Sequence, residues 1–385
     1  MQDVYLLSAV RSPIGRGYPN GALAHLTPIN LSALILQAAV TRAGLDPARV
    51  EDVIWGCVTP VGDQGANVAR LAVLKAGFPV RVPAVTLNRM CGSGQQAIHF
   101  AAQAILAGDA DLLIAGGTEM LSHQPLGSDW PAQWPADFPY DLVHQGLSAE
   151  RMAEKWGLTR DELDDFAYQS HVRAGHAIRA GVFASQTVEV PGPDGLALSG
   201  VEGGCVTTDE GVRPNPDRAK MSTLKPVFKP EGVITAANSS QISDGSAAVV
   251  LASEKAVREH HLTPIARLIS RVVVGSDPVL MLDGPIPATQ MALARAGLTL
   301  ADMDLIEINE AFASVVLAWA KELGADLARV NVNGGAIAHG HPLGATGAIL
   351  MTKLVHELHR TGGRYALQTM CIGHGMATAT VIEKV

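Results

Sequence analysis

Cysteine is rare in this chain: Cys57, Cys91, Cys205 and Cys371 are the only four among 385 residues. They are too few and too scattered for a disulfide framework, so free thiols in a reducing compartment are expected. Aromatic residues make up only 4%, while Ala, Val, Leu and Gly are plentiful, a mix that suits close helix–sheet packing. No uncharged apolar run reaches the roughly 18 residues of a membrane span. The opening segment, MQDVYLLSAVRSPIG, lacks the basic stretch and apolar run of a secretory signal, and the final VIEKV is no peroxisomal address. The expectation is a cytoplasmic protein. A formal charge of −8 argues against a broad nucleic-acid surface.

Helical and strand-like patterns alternate from the N-terminus. Strands are expected at Val4–Val10, Val50–Val58, Val82–Leu87 and Leu112–Ala115, and helices at Leu31–Ala43, Ala66–Ala76 and Gly92–Ala107. The order returns near the C-terminus: helices at Pro285–Ala296, Ala313–Leu323 and Gly344–Leu358, with strands at Leu305–Ile308, near Arg329–Val332, at Arg364–Cys371 and at Met376–Glu383. Such alternation predicts an α/β fold with a mostly parallel sheet. VEDVIWG (50–56) matches MDLIEIN (303–309), NRMCGSGQQAI (88–98) loosely matches HGHPLGATGAI (339–349), and LLIAGG (112–117) matches LQTMCIG (367–373). This is the pattern of an internal duplication. The N-terminal half is expected at 1–118 plus about 242–265, and the C-terminal half at 266–385. Between them, 119–241 has a different texture: a Pro- and Trp-containing loop, helices at Ser148–Trp156 and Arg160–Ala180, and an irregular stretch to about 216. It reads as an inserted ligand-binding subdomain or lid.

Cys91 lies in NRMCGSGQQ, where a strand passes into a helix. Unpaired N–H groups there favour a thiolate, and Gly92 and Gly94 would let a substrate approach the backbone. A buried structural cysteine fits the motif equally well. His341, in GGAIAHGHPLGATG (334–347), is placed to act as a base toward Cys91, or to be a satisfied turn histidine, with His339 a bystander. Cys371, in MCIGHG (370–375), reads as a second acid–base thiol or a core cysteine. Asn309, in EINEAFAS (307–314), suits a water or carbonyl, or a helix cap. A zinc site from Cys91, Cys371, His339, His341 and His374 is disfavoured, because no cysteine pair has the close spacing usual in structural sites. Arg213, Arg218, Lys220, Lys225 and Lys229 concentrate positive charge in 212–229, where they could receive phosphates or form a solvated loop.

Taken together and in order, SAVRSPIG, NRMCGSG, GGTEM, LKPVF…ITAANSSQISDG, NEAFA, NGGAIAHGHPLGATG and CIGHG resemble the thiolase family over essentially the whole chain. The resemblance implies a thiolase fold, a five-layer αβαβα core of two duplicated halves with an inserted loop domain that binds coenzyme A. It implies acyl transfer between a 3-ketoacyl-CoA and coenzyme A, with no metal or redox cofactor. Cys91 would be the nucleophile, His341 its base, and Cys371 the mover of the α-proton. Asn309 would hold a water of one oxyanion hole, and the N–H groups of Cys91 and Gly373 would form the other. Arg213, Phe228 and Ser240 match positions near coenzyme A. His144-Gln145-Gly146 carries Gln where Met is common beside the acyl group, and His374 and Ala377 also depart from frequent forms. At least a homodimer, or a homotetramer, is implied. The alternatives are an acetoacetyl-CoA-forming enzyme, a decarboxylating ketoacyl synthase, against which Cys371 argues, and a non-catalytic acyl-CoA or lipid-binding relative.

Overall fold

The computed structural model describes residues 3–192, 201–202 and 204–385. Strand β1 (Val4–Arg11) is followed by the short β2 (Gly15–Arg16). Helix α1 (Pro28–Arg42) begins at Thr27, whose hydroxyl accepts from the Asn30 N–H, and Pro28 occupies the first turn, where a missing N–H costs nothing. Next come β3 (Asp52–Gly56), α2 (Val68–Lys75), β4 (Ala84–Leu87), α3 (Ser93–Ala107) and β5 (Leu112–Met120). Helix α2 starts later than its apolar spacing suggests because Ala66 and Asn67 have positive φ. Strand β5 runs past the apolar stretch because its polar residues Thr118 and Glu119 find partners inside.

The inserted segment carries α4 (Gln145–Trp156) and α5 (Arg160–Arg179), the latter opened by the Thr159/Glu162 capping box. The stretch expected to be irregular holds β6 (Val190–Pro191), β7 (Val201–Glu202) and β8 (Cys205–Val206), which form a small sheet, and part of it lies outside the described residues. Helix α6 (Arg218–Ser222) leads to β9 (Ser243–Ser253) and α7 (Glu254–Glu259). The remaining elements are β10 (Ala266–Gly275), α8 (Pro285–Ala296), β11 (Leu305–Ile308), α9 (Ala313–Leu323), α10 (Ala336–His339), α11 (Leu343–Thr361), β12 (Tyr365–Ile372) and β13 (Met376–Lys384).

The strand order is β11-β12-β13-β10-β1-β9-β5-β3-β4, with β2 on β9. Among the strands of the described residues, β3–β4, β3–β5 and β11–β12 pair in parallel and the other pairs are antiparallel, so the expected mostly parallel sheet is in fact mixed. The reason is topological. Strand β13 folds straight back from β12 through a tight turn, and β9 returns only after the insertion, so neither arrives by a helical crossover. The order β1-β9-β5-β3-β4 is repeated by β10-β13-β12-β11. The fifth position of that repeat holds a single parallel bridge, Ile306 to Val330, beside a 3₁₀ turn at Leu327–Arg329. The strand expected near Arg329–Val332 is thus reduced to one pairing. The two runs touch through just Tyr5↔Arg267 and Leu6↔Ala266.

Helices α1 and α2 bury one face of the first run around Trp55, Val53 and Val250. Helices α8 and α9 cover the second run around Trp319, Ile308 and Val381. Helices α3 and α11 lie between, in a core that mixes Ile98 and Ile105 with Ile349, Leu354 and strand residues of both runs. The result is five layers. The central helices cross with their backbones in contact: a Cβ on Gly347 would lie 2.1 Å from the Gln95 nitrogen, and one on Gly94 2.9 Å from the Gly344 oxygen. Gly94 therefore serves helix packing rather than substrate approach, and Gly92 faces the Ile372 side chain. Among the described residues, no helix is long and apolar enough to cross a membrane.

Candidate active site

Cys91 and His341 occupy matching places in the two halves. Each stands two residues before the first residue of its helix, α3 at Ser93 and α11 at Leu343. Because those helices cross at glycine, the two approach loops meet. Cys91, Met370 and Leu343 pack in one small apolar cluster with Val58 and Leu121. Glu119, fully buried, ties the loops together: it accepts from the N–H groups of Val58 (2.8 Å), Thr59 (3.1 Å) and Gly344 (2.9 Å), and from the Gln64 side chain. Burial pushes its carboxyl up and those donors pull it back.

The Cys91 thiol lies against the N–H groups of Gly373 and of Cys91 itself, and against the Gln145 side chain. All three favour the thiolate, yet burial outweighs them and the thiol is pushed up to about 11. The resting sulfur is therefore protonated, although the N–H groups at the helix terminus do pull toward the thiolate. Cys371 is buried and pushed up by desolvation first, and then by the nearby Cys91 sulfur.

His341 has a defined tautomer. The Thr346 hydroxyl donates its one proton to the Pro342 carbonyl at 2.9 Å, so its oxygen accepts from His341 Nδ1–H at 2.7 Å. Nε2 then carries a lone pair, toward which Asn309 Nδ2 points at 3.3 Å. Burial pulls the imidazole down to about 4, so it is neutral at ordinary pH and able to take a proton. Its backbone N–H is held by the Ser243 hydroxyl at 3.2 Å. Asn309 is buried, and its Oδ1 has no hydrogen-bond partner among the described residues. A protonated sulfur near a second thiol, with a neutral base and a free amide oxygen on the loops that meet it, can accept an acyl group and shuttle a proton.

His339 belongs elsewhere. Its ring bonds Asp209 at 2.7 Å and the Asn333 carbonyl at 2.8 Å, and Asp209 also holds Arg11. Among the described residues, no group of three or more His, Cys, Asp or Glu is arranged to hold a metal ion. Motif reading passed over Thr346 and Glu119 as site residues, and noted Gln145 only as a departure beside the acyl group. The signal for Glu119 was its place in GGTEM, a carboxylate within an otherwise apolar strand. Thr346 had none beyond the Gly-rich motif.

The basic stretch divides in two. Arg218 is committed to Asp161, Asp164 and Asp165, and Lys229 to Glu154. Arg213 and Lys220, with His171 and Asn215, line a cavity of about 400 Å³. Phe228 stacks on His144 at 5.0 Å and meets Phe312 edge-on at 6.1 Å. Ser240 is half-buried, its N–H bonded to the Ala311 carbonyl.

A cysteine, a histidine and a second thiol brought together from two like halves define an acyl-transferring enzyme. The chain matches the thiolase N-terminal domain over residues 4–255 and the thiolase C-terminal domain over 262–384. It is 47% identical over 398 residues to a steroid 3-ketoacyl-CoA thiolase of Mycobacterium tuberculosis, covering 100% of this chain and 95% of that one. It is 43% identical to a 3-ketoacyl-CoA thiolase of Yersinia pestis, with both chains covered in full. Human mitochondrial 3-ketoacyl-CoA thiolase, whose structure is also known in complex with CoA, superposes with a TM-score of 0.90 at 37% identity, covering 100% of this chain and 99% of that one. The acetyl-CoA acetyltransferase of Bacillus anthracis gives 0.91 at 38%, with the same coverage. The chain belongs to the thiolase family, and it is an acyltransferase.

Proposed function

We propose that this thiolase carries its reaction, acyl transfer between a 3-ketoacyl-CoA and coenzyme A, on Cys91, with His341 and Cys371 moving protons. The observations that support this reading are a protonated Cys91 whose sulfur lies near Cys371, and, on the loop that meets its own, an imidazole whose Nε2 lone pair is fixed by Thr346. His341 takes the thiol proton as sulfur attacks the 3-keto carbon. The tetrahedral alkoxide collapses, the C2–C3 bond breaks, and its electron pair becomes the enolate of acetyl-CoA. Cys371 delivers its proton to C2, leaving a thiolate next to the acyl-enzyme. Coenzyme A then gives its thiol proton to Cys371 and attacks the acyl carbonyl. The Cys91 sulfur departs and recovers its proton from His341, so every group returns to its starting state.

The N–H groups of Cys91 and Gly373, already turned to the sulfur, stabilise the acyl-enzyme oxyanion. Asn309, with its free Oδ1, holds a water that joins His341 on the thioester oxygen. Arg213 faces the phosphates of coenzyme A, with Phe228, Ser240 and His144 along its pantetheine and adenine. The working units are 1–118 with about 242–265, the inserted 119–241, and 266–385. A homodimer or homotetramer fits the sheet edge at β4, where Val85 stands 46% exposed with no strand beyond it. Free cysteines fit a cytoplasmic location.

The test is to mix the protein with 3-ketohexanoyl-CoA, quench in acid and map the thioester by peptide mass spectrometry. The acyl group is expected on the peptide bearing Cys91. Its appearance on Cys371, or on neither, would overturn these roles.

A further inference from the structure

One cavity is walled by segments that lead into the reaction centre. It measures about 490 Å³ and is lined by Trp134, Phe138, Tyr140, Leu142, His374 and neighbouring Ser276 and Pro278. Both ends of its wall lead to the Cys91 sulfur. His374 follows Gly373, whose N–H meets the thiol, and Leu142 precedes Gln145, whose side chain meets it too. In a chain with five tryptophans and 4% aromatics, Trp130, Trp134, Phe138 and Tyr140 fall within one short loop. Trp134 contacts Phe138 at 5.9 Å and the His374 ring edge-on at 5.8 Å, and Phe138 contacts Tyr140 at 6.4 Å. The rings form a continuous wall, and each of these four side chains is at least 40% exposed.

Two of the residues that line this cavity carry a buried polar atom without a partner among the described residues: His374 Nδ1 and Ser276 Oγ. An unpaired buried donor or acceptor costs about 1–3 kcal/mol, so a partner of suitable chemistry gains by arriving. His374 also holds φ at +63°, a conformation that non-glycine residues rarely adopt. The turn thus keeps an imidazole where glycine would sit without strain. The volume falls in the range of pockets that enclose drug-sized ligands, well beyond a short straight acyl chain.

We propose that this cavity is the acyl subsite and selects 3-ketoacyl-CoA substrates whose acyl group ends in a flat ring bearing an oxygen substituent, with Trp134 and Phe138 as the ring platform and His374 as the hydrogen-bond partner. The inference rests on the thiolase reading above. Ring faces stack on Trp134 and Phe138 as aromatic pairs do, offset or edge-on. The ring oxygen bonds His374 Nδ1, with Ser276 beside it. A straight chain fills the space poorly and leaves both polar atoms unpaired. The exposed aromatics then serve the substrate rather than a partner protein.

The experiment compares kcat/KM for coenzyme A-dependent thiolysis of 3-ketohexanoyl-CoA, 3-oxo-5-phenylpentanoyl-CoA and its 4-hydroxyphenyl counterpart. The unaltered enzyme is expected to prefer the phenyl compound to the straight chain by about tenfold, and the hydroxyphenyl compound by several-fold more. Trp134→Ala should lower the phenyl substrate about tenfold and leave the straight chain within about threefold. His374→Gly suits the turn and should erase only the hydroxyl preference. His374→Asn, which tolerates the same backbone and can hydrogen-bond, should restore part of it. Equal losses on all three substrates, or no ring preference in the unaltered enzyme, would overturn the proposal. So would a Trp134→Ala protein whose oligomeric state changes in sedimentation while its selectivity stands, since that would assign the aromatics to a subunit contact. Turnover of 3-ketohexanoyl-CoA, lost in Cys91→Ala, keeps the thiolase reading intact in each of those cases. Failure of the folded enzyme to cleave any of the three would remove both.

Discussion

The two halves share one strand order and diverge at equivalent positions. Through the match of 50–56 with 303–309 and the parallel registers Gly56↔Gly117 and Ile308↔Thr369, Thr118 of β5 stands opposite Cys371 of β12. Likewise Gly56 stands opposite Asn309. In the first half the polar position is saturated: Thr118 bonds the Ser32 and Ser246 hydroxyls and the Trp55 indole N–H, at 2.6, 2.7 and 3.1 Å. In the second half Cys371 sits in an apolar cluster with Phe312 and Ile337, and the Asn309 Oδ1 has no partner. At these equivalent strand positions the scaffold is thus satisfied and structural in one half and unsatisfied in the other, while the first half places its reactive group, Cys91, in the turn before α3. Buried polar groups are normally paired, so those left free mark where a ligand enters.

The comparison breaks most sharply at the sulfurs. Cys91→Ala should lower thiolysis by at least about 10⁴-fold and leave no acyl-enzyme; a labelled acyl group still trapped on that variant would sink the assignment. Cys371→Ala should take up an acetyl group from acetyl-CoA yet lose α-proton exchange with deuterated solvent by about 10²–10³-fold, and unchanged exchange would free Cys371 from its role. Thr346→Val removes the acceptor that fixes the His341 tautomer, and kcat should fall about tenfold with KM little changed. A loss confined to KM would show that Thr346 does not act through the imidazole.

Acidity probes the same contrast more gently. His341 is held down to about 4 by burial, so the base stays neutral above that value and is lost only as pH falls through it. Acylation should therefore change less than about twofold on its account from about pH 8 to pH 5. A pH profile of single-turnover acylation that halves near the ordinary histidine value would contradict the buried neutral imidazole. The smallest effect on chemistry belongs to the structural side. Thr118→Val should cost about 1–3 kcal/mol in denaturant melts, by orphaning its three partners, with kcat within about twofold. A large drop in kcat at full stability would erase the distinction between the halves.

Much of the architecture was legible as pattern. The alternation of helix and strand periods, the repeated segments, and the Thr159/Glu162 capping box depend on neighbours a few residues apart, and they appear where local rules put them. Strand direction was not legible in the same way. A buried β9 or β13 reads as apolar whether its neighbour runs parallel or antiparallel, and the choice rests on how the chain returns to the sheet. The Arg329–Val332 segment shows the same limit, since its propensity for strand survives as one bridge to Ile306. At the site, Cys91, His341, Asn309 and Cys371 stood out because Gly-rich or strand-end contexts flag reactive groups. Glu119 did not, because its partners Val58, Gln64 and Gly344 lie far away in the chain; Thr346 did not, because its bond to the His341 ring forms only once the turn into α11 is made.

By itself, the sequence determined which elements form, that they come in two matching sets, and which side chains are candidates for the chemistry, since each follows from residue type and short spacing. Tertiary structure alone decided that Cys91 rests as a thiol and His341 as a neutral imidazole. Ionisation is set by burial among segments remote in the chain that meet only when α3 crosses α11 at glycine, whereas the His341 tautomer is set close by, by Thr346 at the start of α11.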